Sequence, residues 1–476
     1  MAQNPEQPRS SRRTFLAASA AAGGVSLVGV PGVAGADAER EHGDGPPPLA
    51  QKPSKELQGI LRELDQRRIE RYVRKLVSFG TRHTLSSQDD PVRGIGAARD
   101  WILAEMTKNA EASDGRMTVE LQSYIQEPDG DRIPVPTRIT NVMATLRGSN
   151  SPERLYVVSG HYDSRVTDPN NFAADAPGAD DDASGVAIVM EMARVFAKRR
   201  PEATMVFTAV AGEEQGLYGA RHMARLYKEA GTDVQGMFTN DIVGSSTADD
   251  GTRDPRTVRL FAEGVPTAET PEEGNVRRAV GGENDSPARQ LARFVREVAD
   301  NDATGMNVRV IYRRDRYLRG GDHIGFLEQA YPAARFTEPN EDYAHQHQDV
   351  RVEDGKQFGD LIEFCDFAYM LRVAKVNTAA LWSLATAPGT PKNVRVLTSA
   401  LTNNTDLVWD RGTEPDLAGY EVVWRETTAP EWTDVIRVGD VTSTSIDMSK
   451  DNVFFGVRAV DRAGRRSPVA FPRPQS

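Results

Sequence analysis

Gly160-His161-Tyr162-Asp163-Ser164-Arg165 and, after a loop, Pro177-Gly178-Ala179-Asp180-Asp181-Asp182-Ala183-Ser184-Gly185 decide how the rest of this 476-residue chain is read. The run Leu155-Tyr156-Val157-Val158 ahead of them reads as a buried strand. Residues two apart on a strand share a face, so His161 and Asp163 are expected side by side where the strand ends. A metal-binding histidine commonly gives its second ring N–H to a carboxylate, which fixes the tautomer. Asp180, Asp181 and Asp182 then arrive together, ahead of a helical pattern over 186–198. Three adjacent acids repel in a packed site unless a cation lies among them. The expected cation is a metal, with the rest of its shell downstream.

That shell is sought at the ends of further strands, because ligands in open α/β sheets gather at the carboxyl ends of strands. Thr204–Val210 is a nearly continuous apolar run, the pattern of a strand buried on both faces. It ends in Gly212-Glu213-Glu214-Gln215-Gly216, followed by an amphipathic helix to about Tyr227. Acids also suit a helix N-terminus for its dipole alone, but here they fall beside the His/Asp cluster. Asp241 interrupts the apolar run Met237–Val243, which a buried strand tolerates only if the charge is paired. The strand Ala334-Arg335-Phe336-Thr337 leads to His345-Gln346-His347-Gln348-Asp349. The sum is His161, an aspartate from 180–182, a glutamate from 213–214, Asp241, and His345 or His347. One catalytic zinc takes three protein ligands plus water, so this set suits two metals with a shared carboxylate. The remaining glutamate is then the general base.

The combination His-x-Asp, Asp-Asp-Ala-Ser-Gly, Gly-Glu-Glu, a strand-end Asp and a late His-x3-Asp resembles the M28 family of zinc aminopeptidases. The likeness is to its secreted bacterial, leucyl aminopeptidase-like members, and it covers roughly residues 55–375. It implies a zinc exopeptidase (phosphorylase/hydrolase-like) α/β fold: a mixed, mostly parallel central sheet flanked by helices. It implies two Zn2+ per chain, for which Co2+ or Mn2+ can substitute. By the same likeness His161 and Asp241 hold one zinc, Glu214 and His345 the other, and Asp181 is shared. Asp163 orients His161, and Glu213 is the general base that also hands a proton to the leaving amine. The peptide bond after the shared aspartate is expected to be cis. His345 is preferred because Asp349 lies four residues on, although Gln346 stands where the family usually has threonine. The substrate so implied is the N-terminus of a peptide or protein. A carboxypeptidase of the same family, holding a substrate carboxylate through Arg165, Arg316 or Arg319, is an alternative. So are a one-zinc glutaminyl cyclase and a catalytically dead binding relative. Arg319–Phe326 resembles a stretch bordering the family's cleft, with Asp322 and His323 structural or substrate-lining. His83 reads as a local structural residue.

The whole chain sets wider bounds. A net charge of −11 argues against a nucleic-acid partner. The single cysteine, Cys365, excludes an internal disulfide; it is expected as a buried, inert thiol in a helix over 352–376. Ser11-Arg12-Arg13-Thr14-Phe15-Leu16 ahead of the Ala/Gly-rich apolar segment 17–33 resembles a twin-arginine export signal, so residues 1–36 are expected to be removed and the protein secreted. No other stretch is long and apolar enough to span a bilayer. Residues 37–54 read as a flexible lead-in, 55–386 as the peptidase domain, and 387–391 (Ala-Pro-Gly-Thr-Pro) as a linker. Residues 392–476 carry short alternating runs that suggest a small all-β sandwich. Leu407-Val408-Trp409, Gly419–Val422 and Phe455–Ala459 resemble a fibronectin type III domain, with Phe455 where a tyrosine often stands. Trp409 is expected in its core. Trp424 and Trp432 are expected either in packing or on a surface that contacts a polymer or cell. Such a spacer is expected to be removable without loss of small-peptide hydrolysis.

Overall fold

The apolar runs pair into one eight-stranded sheet. The structure, a computed structural model, describes residues 47–475. The export signal over 1–36 and the start of the lead-in lie outside them. The strands are β1 (Met117–Gln126), β2 (Thr137–Leu146), β3 (Ser151–His161), β4 (Ala203–Val210), β5 (Asp233–Asn240), β6 (Thr257–Phe261), β7 (Asn307–Ile311) and β8 (Ala333–Thr337). Their order is β1-β2-β4-β3-β5-β8-β6-β7. β4, β3, β5 and β8 are mutually parallel. Toward the edges β1 runs against β2, β2 against β4, and β6 against β8, while β6 and β7 are parallel. The fold is the expected α/β class with a mixed central sheet.

Alternation along the central strands builds two apolar layers. Tyr156 and Val158 of β3 join the core made with helices Gln66–Val77, Ala183–Phe196 and Phe367–Thr386. Leu155 and Val157 face the other way, onto helices Tyr218–Glu229 and His323–Leu327. In the helix Ala183–Phe196 every residue but Arg194 is buried, which is why that segment is apolar on all sides. It starts three residues before the expected position because Asp182 caps it, accepting from Gly185 N. Gly185 has to be glycine: a Cβ there would lie 2.2 Å from the Asn240 carbonyl oxygen of β5. That close approach seats the helix start directly over the strand ends.

Three elements differ from the sequence reading. The amphipathic helix after β4 is two pieces, Glu213–Gly216 and Tyr218–Glu229, broken at Leu217, which has φ +60°. The pattern over 352–376 is not one helix. Strands Arg351–Glu353 and Lys356–Phe358 form a hairpin, a 3-10 turn follows at Ile362–Phe364, and the helix begins only at Phe367, capped by Asp366. Cys365 therefore sits ahead of the helix, half-buried, with burial pushing its thiol well above the usual range. No helix among the described residues is long and apolar enough to cross a membrane.

The third difference is the C-terminal region. It forms a four-stranded and a three-stranded sheet, with Trp409 in the core between them. It is not an independent spacer on a flexible tether. Asp285 of the peptidase domain pairs with Arg293 (2.8 Å) and with Arg425 of the β unit (2.7 Å), and all three are buried. Glu297 pairs with Arg458 of the β unit (3.1 Å). Trp432, one of the two possible surface tryptophans, is buried and donates through Nε1 to Gln290 Oε1 at 2.9 Å. The connecting segment is fixed as well: Arg154 Nη2 donates to Ala387 O (3.0 Å) and Gly389 N to Glu414 Oε1 (2.7 Å). Within the described part of the lead-in, Gln51 N donates to Glu297 O at 2.7 Å. Sequence reasoning saw a Pro/Gly linker but not that charges on either side of it, Asp285 with Arg425 and Glu297 with Arg458, pair across the interface.

Candidate metal centre

The four central parallel strands end together, and each delivers part of one cluster. β3 ends at His161, β4 is followed by Glu213 and Glu214, β5 by Asp241, and β8 by the loop that carries His345 and His347. Asp181 comes from the loop ahead of the helix Ala183–Phe196. Two groups of side chains could each hold a cation: His161, Glu213 and Asp241, and Asp181, Glu214 and His347. Within each group the ligand atoms lie within 4.8 Å of one another. Asp181 joins the two. Its Oδ1 is 3.0 Å from His161 Nε2, and its Oδ2 is 2.8 Å from His347 Nε2. Asp241 Oδ1 lies 3.8 Å from His161 Nε2, and Glu214 Oε1 3.0 Å from His347 Nε2.

Unpartnered buried atoms test whether these residues fit a metal. His161 Nε2, Asp181 Oδ1, Glu214 Oε1 and His347 Nε2 are all buried without a hydrogen-bond partner, an arrangement costly for groups with no cation between them. Imidazole nitrogen with carboxylate oxygen is a donor set that suits zinc. The charge balance agrees. Burial opposes charge on His161, yet Glu213, Asp163, Asp181 and Asp241 push its pKa well above the usual range. Burial likewise opposes charge on His347, while Glu214 and Asp181 favour a proton on the Nε2 that faces them. Burial pushes the Glu213 carboxyl well up, with Asp241 and Glu214 adding to it. The pocket holds a surplus of negative charge that a divalent cation would relieve.

His345 is the one expected ligand that the structure moves out. Its ring stacks on Phe364 with centroids 3.4 Å apart, and its Nδ1 lies 3.0 Å from Asp342 Oδ2. Asp349, whose spacing favoured His345, bonds instead through its N–H to Thr167 Oγ1 (3.2 Å). The loop turns at His347, which takes a left-handed backbone (φ +52°), and this aims His347 inward. Spacing along an irregular loop does not carry that information. His347→Ala is therefore expected to lose one metal equivalent, and His345→Ala to keep the full complement, by elemental analysis of the purified proteins. The reverse result would restore His345.

The three adjacent aspartates divide their work. Asp182 Oδ2 accepts from His161 N (2.9 Å) while its Oδ1 caps the helix. Asp180 Oδ1 accepts from Gly244 N (2.6 Å). Only Asp181 is turned between the histidines, so backbone N–H groups, rather than a cation, satisfy the other two. Asp360, which the sequence reading passed over, accepts from the N–H of both Asp180 (2.8 Å) and Asp181 (2.7 Å) and fixes the loop. The Asp181–Asp182 peptide bond is cis.

Asp163, expected to orient His161, meets it more closely through its backbone than through its carboxylate. Its carbonyl oxygen is the nearer acceptor for His161 Nδ1 (3.2 Å), with the carboxylate at 3.6 Å. The carboxylate accepts from Thr84 Oγ1 (2.9 Å), Glu213 N (3.3 Å) and Glu214 N (3.1 Å). It thus holds the turn that presents both glutamates. His83 is structural: Nδ1 accepts from Leu85 N, and Nε2 bonds Pro169 O (2.9 Å). His323 bonds Arg314 O (2.8 Å), away from the donor set. Asp322 is buried with neither oxygen hydrogen-bonded, and burial pushes it up to about 8.

Arg335 was also missed. It is fully buried and lies 2.8 Å from Asp241 Oδ2. The signal was present, since Arg335 interrupts β8 just as Asp241 interrupts the run after β5, and the two interruptions pair with each other.

Known proteins resemble this chain over most of its length. The sequence model of peptidase family M28 matches residues 141–353, which include His161 through His347. A probable zinc metalloprotease of Leptosphaeria maculans is 57% identical, over 89% of this chain and 98% of that protein. Another, of Pyricularia oryzae, is 57% identical over 89% of this chain and 86% of that protein. Both are fungal proteins, whereas the sequence resemblance pointed to bacterial members. Among solved structures, the LapA aminopeptidase of Legionella pneumophila overlaps 70% of this chain and 74% of its own, at 19% identity and a TM-score of 0.49. With relatives more than half identical along nearly its whole length, and a donor set assembled from the four strand ends, this chain belongs to peptidase family M28.

Proposed function

We propose that the chain is a dinuclear zinc aminopeptidase that hydrolyses the N-terminal peptide bond of peptides. The observation that carries the proposal is Asp181, which offers one oxygen to each histidine. One carboxylate placed between two donor groups is the arrangement two neighbouring cations require. His161, Asp181 and Asp241 would hold one ion, and Asp181, Glu214 and His347 the other. Zinc bound there would supply Lewis acidity for the scissile carbonyl and acidify the attacking water.

The chain's own residues do the rest. Glu213 stands at the start of a short helix whose N–H groups are held by Asp163, with its carboxylate beside His161 and Asp241. From there it takes a proton from the attacking water and returns it to the leaving amine.

Ion pairs weigh against a carboxypeptidase. Arg165 pairs with Glu214 (2.8 Å), Arg316 with Asp315 (3.2 Å) and Glu341 (3.3 Å), and Arg319 with Glu341 (2.6 Å). Each arginine that could hold a substrate carboxylate already holds one of the protein's own. A one-zinc cyclase would leave one of the two donor groups without a role. Aminoacyl-anilides are therefore expected to be cleaved and N-blocked peptides with a free carboxylate left intact, by enzyme carrying two metal equivalents. Cleavage of the blocked peptides alone would make it a carboxypeptidase.

A further inference from the structure

We propose that Arg165 makes the two cation positions unequal, holding the Glu214–His347 position at lower affinity than the His161–Asp241 position. This rests on the dinuclear reading above and adds a role for one side chain beside it.

The positions are alike at their carboxylates. Arg335 Nη1 lies 2.8 Å from Asp241 Oδ2, and Arg165 Nε donates to Glu214 Oε2 at 2.8 Å. Each arginine occupies one oxygen and leaves the other facing an imidazole. They differ at the histidines. His161 Nδ1 faces acceptors, the Asp163 carbonyl at 3.2 Å and its carboxylate at 3.6 Å. Its ring proton belongs on Nδ1, and the Nε2 lone pair is free to turn toward Asp181 and Asp241. This is the usual support of a metal-binding histidine.

His347 has the opposite neighbour. Its Nδ1 lies 2.6 Å from Arg165 Nη2. A guanidinium only donates, so Nδ1 accepts and the neutral ring carries its proton on Nε2. That is the atom turned to Asp181 and Glu214. A cation needs the lone pair there, so Arg165 must withdraw from Nδ1 before His347 can serve as a ligand. Arg165 is not loose: it is mostly buried, and its Nη1 also donates to Val166 O at 3.2 Å. Breaking this arrangement lowers affinity at one position only; the charge of Arg165 adds no difference of its own, because Arg335 stands beside the other position.

The test is titration of chelator-stripped full-length protein with Co2+, followed by calorimetry and visible absorption. Wild type is expected to bind in two steps separated at least tenfold. His347→Asn should remove the weaker step and spare the tighter one. Arg165→Gln should strengthen the weaker step at least tenfold and leave the tighter one in place, which also shows that the variant is folded. If Arg165→Gln binds at neither position, Arg165→Met takes its place with the same expectation. Equal steps in wild type, loss of the tighter step in His347→Asn, or a weaker step unmoved in both Arg165 variants would overturn the role of Arg165 while leaving two metals in the site. Binding of one equivalent in all by the wild type would instead overturn the dinuclear reading, and this inference with it.

Discussion

Glu213→Gln is expected to keep its full metal complement and lose about 10²–10⁴-fold in kcat, the usual worth of a positioned acid–base group. Glutamine has the same shape, so the turn held by Asp163 through Glu213 N and Glu214 N stays in place. The substitution removes only the ability to take a proton. KM for an aminoacyl-anilide should move little, because the loss falls on the step in which the proton moves. The experiment also separates two roles that geometry alone leaves adjacent. Glu213 lies with His161 and Asp241 in a group that could hold a cation. If the variant lost a metal equivalent, Glu213 would be a ligand. If it kept both its metals and wild-type turnover, the base would have to be sought elsewhere, with the buried and unpartnered Asp322 as the first candidate.

The second large effect lies far from the site. Asp285→Ala is expected to destabilise the protein by about 3–5 kcal/mol, because it strips the shared partner from two buried cations. Asp285 Oδ1 accepts from Arg293 Nη1 and Gln290 Nε2, and Oδ2 accepts from Arg425 Nη2. Without it Arg293 and Arg425 face each other with their side chains only 1% and 2% exposed. A melting temperature lower by about 3–6 °C is expected for a chain of this size, with metal content unchanged in the folded protein. Arg425 belongs to the β unit and Arg293 to the peptidase domain, so the variant also measures how far the two depend on each other. A loss under about 1 kcal/mol, typical of an exposed pair, would mean that the β unit is the separable spacer the linker suggested.

Much of the centre was legible because its chemistry is written locally. His161, Glu213, Glu214 and Asp241 each close an apolar run, and strand ends are where an α/β sheet gathers ligands. The two-residue period of a strand and the stop at a glycine or an acid survive in the sequence, so these residues could be placed without coordinates. Asp181 was singled out from Asp180 and Asp182 only by the family likeness; the Gly185 that follows is demanded by the approach of the helix start to Asn240 O.

What the tertiary structure alone decided was the choice among residues that local pattern leaves equivalent. His345 and His347 sit on the same irregular loop, and the left-handed turn at His347, with Phe364 taking up the ring of His345, selects between them. Asp360 and Arg335 reach the centre from elements remote from His161 in sequence, Arg165 meets a histidine 182 residues on, and the β unit docks through charges whose partners lie well over a hundred residues away. Periodicity and capping act over a few residues and so are readable in the chain itself. A partner for a buried charge is fixed by packing between elements, and that exists only once the chain has folded.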